Sequence, residues 1–187
     1  YYYLDEFKLK FEFGLDNFIQ VNAQVNQAML IQSVDWLGLS GNENILDLFC
    51  GIGNFSLVLA KQAKTVIGIE GVASAVAMAA QNAQTNSISN AQFHCFDLTQ
   101  KIQNAQWFNK NLDVLVLDPS RTGAMAILEQ LPLKQFKTIL YVSCDPVTLA
   151  RDSAIISQAG FELNKIGLMN MFPHTGHIET MALFQRR

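Results

Sequence analysis

Cys144 stands in Ser143-Cys144-Asp145-Pro146, directly after the apolar run Ile139-Leu140-Tyr141-Val142. The proline stops the extended segment, so the thiol sits at a strand end, placed to be partly exposed. As a thiolate it can add to an electron-poor carbon. Free cysteines are more often small buried hydrophobes, and Cys95, together with Cys50 beside a glycine turn, reads as packing of that kind. Glu179 closes the polar, turn-rich stretch Met171-Phe172-Pro173-His174-Thr175-Gly176-His177-Ile178-Glu179. A carboxylate desolvated in a loop over a pocket has its pKa raised toward neutrality and serves as a general base. Its plainer roles are to cap the last strand or to pair with Arg121 or Arg151. His174 and His177 admit zinc ligation, base catalysis or simple loop roles. Metal is the weakest of these, because two histidines with no third ligand at short spacing are incomplete.

A second group of residues points to a bound ligand. Asp47-Leu48-Phe49-Cys50-Gly51-Ile52-Gly53-Asn54-Phe55 places two glycines where a strand turns into a helix, so that ligand atoms can approach the backbone without meeting a Cβ. A dinucleotide fingerprint wants a third glycine or alanine at position 56, and Ser56 stands there, which weighs against a pyrophosphate. Glu70 ends the next strand about 20 residues on, where an acid accepts ribose hydroxyls. Asp97 ends the third strand, in position to receive an adenine amino group. One glycine turn followed by acids suits a ligand with ribose, adenine and a positive sulfonium. S-adenosyl-L-methionine has those parts. The bland alternative is a tight turn with solvated loop acids.

These residues need a scaffold that brings strand ends together. Short apolar runs at Ile45–Phe49, Val66–Ile69, Gln92–Phe96, Val114–Leu117, Thr138–Val142, Leu163–Met169 and Met181–Phe184 read as strands. Helical patterns fall between them at Asn54–Gln62, Ala73–Thr85, Ala124–Gln130 and Val147–Ala159, after an amphipathic helix Ala23–Leu37 capped by Asn22 and broken at Gly38. Such alternation predicts an α/β fold, Rossmann-like, with a seven-stranded mostly parallel sheet and helices on both faces. The last two strands are joined by a loop alone, so one of them runs antiparallel. Ligands in such sheets bind beyond the carboxyl ends of the strands. Cys50–Gly53, Glu70, Asp97, Asp118–Arg121 and Ser143–Pro146 should therefore line one rim. The alternation in Phe7–Phe13 reads as a further strand, the tail of something upstream.

The 187 residues, half of them hydrophobic, are enough for one domain with an extension. No apolar run approaches the length that spans a bilayer, and the three cysteines form no close metal-binding pair. These features predict a cytoplasmic protein with reduced thiols, no membrane partner, and a monomer. The chain opens on Tyr1, not methionine, which predicts an excised or truncated piece. A net charge of -3 is unusual for a surface that alone grips a polyphosphate.

The motifs DLFCGIGNF, IEG, DPSRTG, YVSCDPVTLARD and MFPHTGHIET, following Phe18-Ile19-Gln20-Val21-Asn22, occur in an order that resembles the RNA uracil-5-methyltransferases. The MFPHTGHIE loop and the unbroken LARD helix resemble most the branch acting on 23S ribosomal RNA. The resemblance implies a class I S-adenosylmethionine-dependent methyltransferase fold over 18–187, with 1–17 the remnant of an upstream or central domain. It implies that Gln20, Phe49, Asn54, Glu70, Asp97 and Asp118 contact S-adenosyl-L-methionine, that Cys144 is the nucleophile and Glu179 the proton acceptor, and that no metal is held by this chain. The partner it implies is RNA and not DNA. An N-terminal RNA-binding barrel and a 4Fe-4S cluster, both features of that branch, would lie outside the sequence. Asp145 stands where the family has asparagine, and its charge beside the thiol is expected to raise the thiol pKa. Phe172, His174 and His177 are candidates to stack on or hydrogen-bond an extruded base. Rival readings are the same chemistry on a T-loop uridine of transfer RNA, an amino-group methyltransferase, and a non-catalytic module that holds the cofactor or RNA.

Overall fold

The computed structural model describes residues 1–105, 107–108, 111–171, 174–175 and 178–187. Among them, seven strands form one sheet: β3 (Asn44–Leu48), β4 (Thr65–Glu70), β5 (Ala91–Cys95), β6 (Val114–Leu117), β7 (Thr138–Ser143), β8 (Phe161–Met169) and β9 (Glu179–Arg186). Their order is β5-β4-β3-β6-β7-β9-β8. The pairs from β5 through β7 are parallel, while β9 runs antiparallel to both β7 and β8. The chain builds outward from β3 to β5 and then returns to lay β6 on the other side of β3. That reversal opens a crevice at the carboxyl ends of β3 and β6.

Strands buried on both faces read as near-continuous apolar runs, and here the alternation inside each run divides two cores. Ile45, Val66, Val114, Val116, Leu140 and Leu183 face α1 (Ala23–Leu37), α2 (Asn54–Ala60) and α3 (Ala73–Thr85). Leu46, Leu48, Ile67, Leu115, Tyr141 and Phe184 face α4 (Met125–Leu128) and α5 (Pro146–Gln158). The expected doubly covered sheet with one antiparallel strand is what the chain forms. Helix limits follow local chemistry. The Asn22 side chain accepts from the Val25 N–H at 3.2 Å, and Gly38, at φ 54°, returns its N–H to Val34. α4 is shorter than the apolar pattern of Ala124–Gln130 suggested.

Two expectations are revised at the chain start and at the sheet edge. The predicted strand over 7–13 is reduced to β2 (Leu9–Phe11), paired antiparallel with β1 (Tyr2–Leu4), because Lys8 turns the chain at φ 52°. This hairpin buries Leu4, Leu9 and Phe11 in the same core as α1 and α2. Its backbone is tied to α3, where Asn82 and Asn86 receive the Glu12 and Lys10 N–H groups, each at 2.8 Å. Cys95 is exposed, not buried, since β5 is the outer strand and the thiol lies at its end, 3.5 Å from the Gly71 carbonyl. Cys50 is buried as expected. No helix among the described residues is long and apolar enough to cross a membrane.

Candidate active site

After β3 the chain turns through Phe49, at φ 64°, and Gly51, at φ 53°. A phenylalanine in the left-handed region costs roughly 1–2 kcal/mol, a strain kept where backbone meets a cavity. A Cβ at Gly51 would meet nothing within 4 Å, so the turn presents open backbone. Glu70, the last residue of β4, is clamped over this turn, one oxygen accepting from the Gly51 N–H at 3.2 Å and the other from the Val72 N–H at 2.9 Å.

The turn forms one side of a cavity of about 410 Å³, within the range of small-molecule sites. Gln20, Phe49, Asn54, Glu70 and Asp118 line it, together with Cys144 and Glu179. The structure thus brings seven of the eight predicted site residues together. The exception is Asp97, which is exposed and outside the lining. Its carboxylate folds back on its own turn, accepting from the Thr99 N–H and hydroxyl and from Gln100. Of the loop candidates, His174 is exposed at φ 66°, while Phe172 and His177 lie outside the described residues.

Cys144 and Glu179 meet through sheet register. Ser143 on β7 pairs with Thr180 on β9, and one step further along lie Cys144 and Glu179. Glu179 is therefore the first residue of a strand, 5% exposed, and not the end of a loop above the pocket. Because β9 runs against β7, its beginning falls on the rim where the parallel strands end. Arg151, considered as a partner for Glu179, instead pairs with Asp152 at 2.8 Å.

The cavity is acidic, and burial sets its titration. Burial holds Glu179 above the usual carboxylate range. Asp118 is pushed well above it by burial, then by Glu179 and Asp47. Cys144 is raised by burial first, then by Glu179 and Asp118, with Arg121 opposing. Asp145 acts elsewhere than expected. Its carboxylate caps α5, accepting from the Val147 N–H at 2.8 Å and the Thr148 N–H at 3.2 Å, with Pro146 in the first turn. The acids facing the cavity, not Asp145, accompany burial in lifting the thiol.

Sequence reasoning missed two groups. Asp47, 1% exposed in β3, receives the Ser56 hydroxyl on one oxygen and leaves the other buried without a partner among the described residues. Burial pushes its carboxyl up to about 7. An acid inside an otherwise apolar strand was the available signal. Tyr2 also lines the cavity, and nothing near it in sequence announces that.

The residues suit a cationic nucleoside ligand. Gln20 carries a buried Oε1 with no partner among the described residues, an acceptor awaiting a donor. Glu70 presents a fixed carboxylate, and Asp118 and Glu179 favour a positive charge between them. A sheet of this order with a glycine turn and acid at its first two strand ends defines a Rossmann-like class I S-adenosylmethionine-dependent methyltransferase fold. The magnesium protoporphyrin IX methyltransferase of Synechocystis PCC 6803 has the same fold, at TM-score 0.69 and 20% identity over 94% of this chain and 87% of that one. The family model tRNA (Uracil-5-)-methyltransferase matches residues 3–187, and the chain belongs to that family. It is 85% identical over its whole length to the 23S rRNA (uracil(1939)-C(5))-methyltransferase RlmD of Pseudoalteromonas translucida, but spans 42% of that relative's length. The crystal structure of Pyrococcus abyssi tRNA (uracil-54, C5)-methyltransferase in complex with S-adenosyl-L-homocysteine superposes at TM-score 0.81, with 28% identity over 95% of this chain and 42% of that one.

Proposed function

We propose that this chain is the catalytic part of an enzyme that methylates carbon 5 of a uridine in 23S ribosomal RNA, with S-adenosyl-L-methionine as methyl donor. The observation that carries the reading is the convergence of Cys144 and Glu179 on one cavity whose other wall is the glycine turn, Glu70 and Gln20. The relative 85% identical to this chain, named for 23S rRNA, supports the choice of RNA. The P. abyssi structure, named for its complex with S-adenosyl-L-homocysteine, supports the choice of donor. Gln20, Phe49, Asn54, Glu70 and Asp118 would hold the donor, which supplies an electrophilic methyl group on a positive sulfonium.

Carbon 5 of uracil is a weak nucleophile. The Cys144 thiolate adds to carbon 6, and the electron pair of the 5,6 double bond moves to carbon 5 and the adjoining carbonyl. Carbon 5 then takes the methyl group as the methyl–sulfonium bond breaks; its electron pair stays on the donor's sulfur, which leaves as the neutral thioether S-adenosyl-L-homocysteine. Glu179 removes the hydrogen left on carbon 5, the electrons of that C–H bond restore the double bond, and the carbon–sulfur bond breaks to return Cys144 as thiolate. The burial that raises Glu179 makes it the stronger base. A reducing cytoplasm keeps Cys144 free for the addition.

RNA containing 5-fluorouridine provides the test, because fluorine at carbon 5 cannot leave as a proton. Incubation with the full-length enzyme and S-adenosylmethionine should give a covalent protein–RNA complex stable to denaturing electrophoresis. A Cys144→Ala variant should give none. Comparing 23S ribosomal RNA with transfer RNA decides the substrate, and preferential trapping of transfer RNA would reassign it. Full methylation by Cys144→Ala would remove the covalent mechanism.

A further inference from the structure

Three polar side chains from three elements meet beneath the cavity. Asn54, at the start of α2, pairs amide to amide with Asn26 of α1: its Nδ2 donates to Asn26 Oδ1 at 2.8 Å, and its Oδ1 accepts from Asn26 Nδ2 at 3.1 Å. The same Oδ1 also accepts the Tyr2 hydroxyl, from β1, at 3.1 Å. Asn26 is 2% exposed, so this is a desolvated junction in which the orientation of the carboxamide matters. With both acceptor positions of Oδ1 occupied and one Nδ2 hydrogen engaged, the bonds among the described residues leave Asn54 one N–H, on a residue that lines the cavity.

We propose that Tyr2 is a positioning residue for the donor half of the cavity: its hydroxyl locks the Asn54 carboxamide so that the remaining N–H meets an acceptor on the bound methyl donor. The inference rests on the donor reading given above. Without the phenol, the Asn26–Asn54 pair can turn over as a unit and present an oxygen where the ligand needs a hydrogen. Two further observations fit the role. The Tyr2 ring is fixed by a parallel stack on Phe11, with centroids 5.1 Å apart and planes 4° apart. Tyr2 itself forms part of the cavity wall, so the hairpin of β1 and β2 contributes to the ligand site and not only to the core.

The test uses the full-length protein with Tyr2→Phe, which keeps the stacking ring, alongside Asn54→Ala and the double variant. S-adenosyl-L-homocysteine affinity is measured by calorimetry, and KM and kcat are measured with S-adenosylmethionine and RNA. Tyr2→Phe should weaken binding by roughly three- to tenfold, the scale of one neutral hydrogen bond, and the loss should fall on KM with kcat at saturating donor held. The double variant should bind no worse than Asn54→Ala alone, because Tyr2 acts through Asn54. Unchanged affinity in Tyr2→Phe, a loss that adds fully to that of Asn54→Ala, or an equal fall in kcat would each overturn the proposal while leaving the donor reading intact. Failure of the unsubstituted enzyme to bind either ligand would overturn both.

Discussion

Cys144 is a thiol whose surroundings hold it protonated, since burial, Glu179 and Asp118 all oppose the thiolate. The reaction proposed above would need that thiolate and an ionised Glu179, and both groups sit above their ordinary values. Turnover should therefore rise with pH through the neutral range and beyond it, because the thiol, raised from an ordinary value of 9.0, must lose its proton. A rate that falls across that range would contradict these roles. Glu179→Gln removes one of the charges opposing the thiolate, so iodoacetamide should alkylate Cys144 faster in that variant at a fixed pH above neutrality, even as turnover stops. Cys144→Ala should lower turnover at least about a thousandfold, as loss of a covalent nucleophile does, measured by methyl incorporation. Asp47 has a different consequence. Its pKa rises from 3.8 to about 7 in the fold, so the folded state favours the protonated form. Its contribution to stability is full below about pH 4 and is lost as pH rises to about 7. Asp47→Asn should therefore be more stable to denaturant than the parent at pH 8, by up to about 4 kcal/mol, with the difference vanishing in acid.

At the scale of elements, the loop carrying Asp118 and Arg121 is tied to the helix that follows Cys144. Asp152 in α5 is fully buried and accepts the Ala124 N–H and the Tyr141 hydroxyl, each at 2.6 Å, and the Arg151 Nε at 2.8 Å. Arg151 in turn donates to the Thr122 carbonyl at 2.8 Å. Gly123 permits the junction, since a Cβ there would lie 2.5 Å from Arg151 and 2.6 Å from Asp152, at φ 74°. One carboxylate thus binds β7, α5 and the 118–123 loop into a single unit, and the motif containing Asp152 has a positioning role. Asp152→Ala takes the acceptor from the buried Tyr141 hydroxyl and the partner from Arg151, leaving the Ala124 N–H only its bond to the Tyr141 oxygen, and should cost on the order of 3 kcal/mol. Thermal denaturation would register that as a drop of roughly 6–12 °C. A drop of only a degree or two would mean the loop is held by other contacts.

For the whole molecule, charge and length bear on how the proposed RNA substrate would be held. With 13 basic against 16 acidic residues, a net charge of -3, the chain has no surplus positive charge to release counterions from a phosphate backbone. The curated relative it matches at 85% identity is more than twice as long. Residues 1–187 alone should bind 23S ribosomal RNA weakly and with a shallow salt dependence, while the full-length relative of Pseudoalteromonas translucida should bind it more tightly and lose affinity steeply with salt. Filter binding across a salt series distinguishes them. Tight, salt-insensitive binding by this chain alone would contradict the expectation.

Local chemistry was legible from the residues themselves. Asn22 and Gly38 bound α1 because caps act over a few neighbouring backbone groups, and the glycine turn at Cys50–Gly53 and the acid ending β4 follow from strand and turn patterns of short range. Even the antiparallel course of one final strand could be read, since a loop joining adjacent strands leaves few alternatives. Placement across the sheet was not legible to the same degree. Glu179 lies beside Cys144 because of the register between β9 and β7, a relation fixed by packing across residues 143 and 180 and by no pattern near either. Glu70 ends β4 and lies over the turn because β4 neighbours β3, whereas Asp97 falls two residues beyond Cys95, the last residue of the outer strand β5. The role of the Tyr2 hydroxyl was likewise decided by what the side chain met in space, whereas the capping use of Asp145 is short-range and stood in Asp145-Pro146 ahead of α5. Sequence carries the short-range hydrogen-bonding and periodicity that build elements, whereas burial, and with it the pKa values of the site, exists only once those elements have closed on one another.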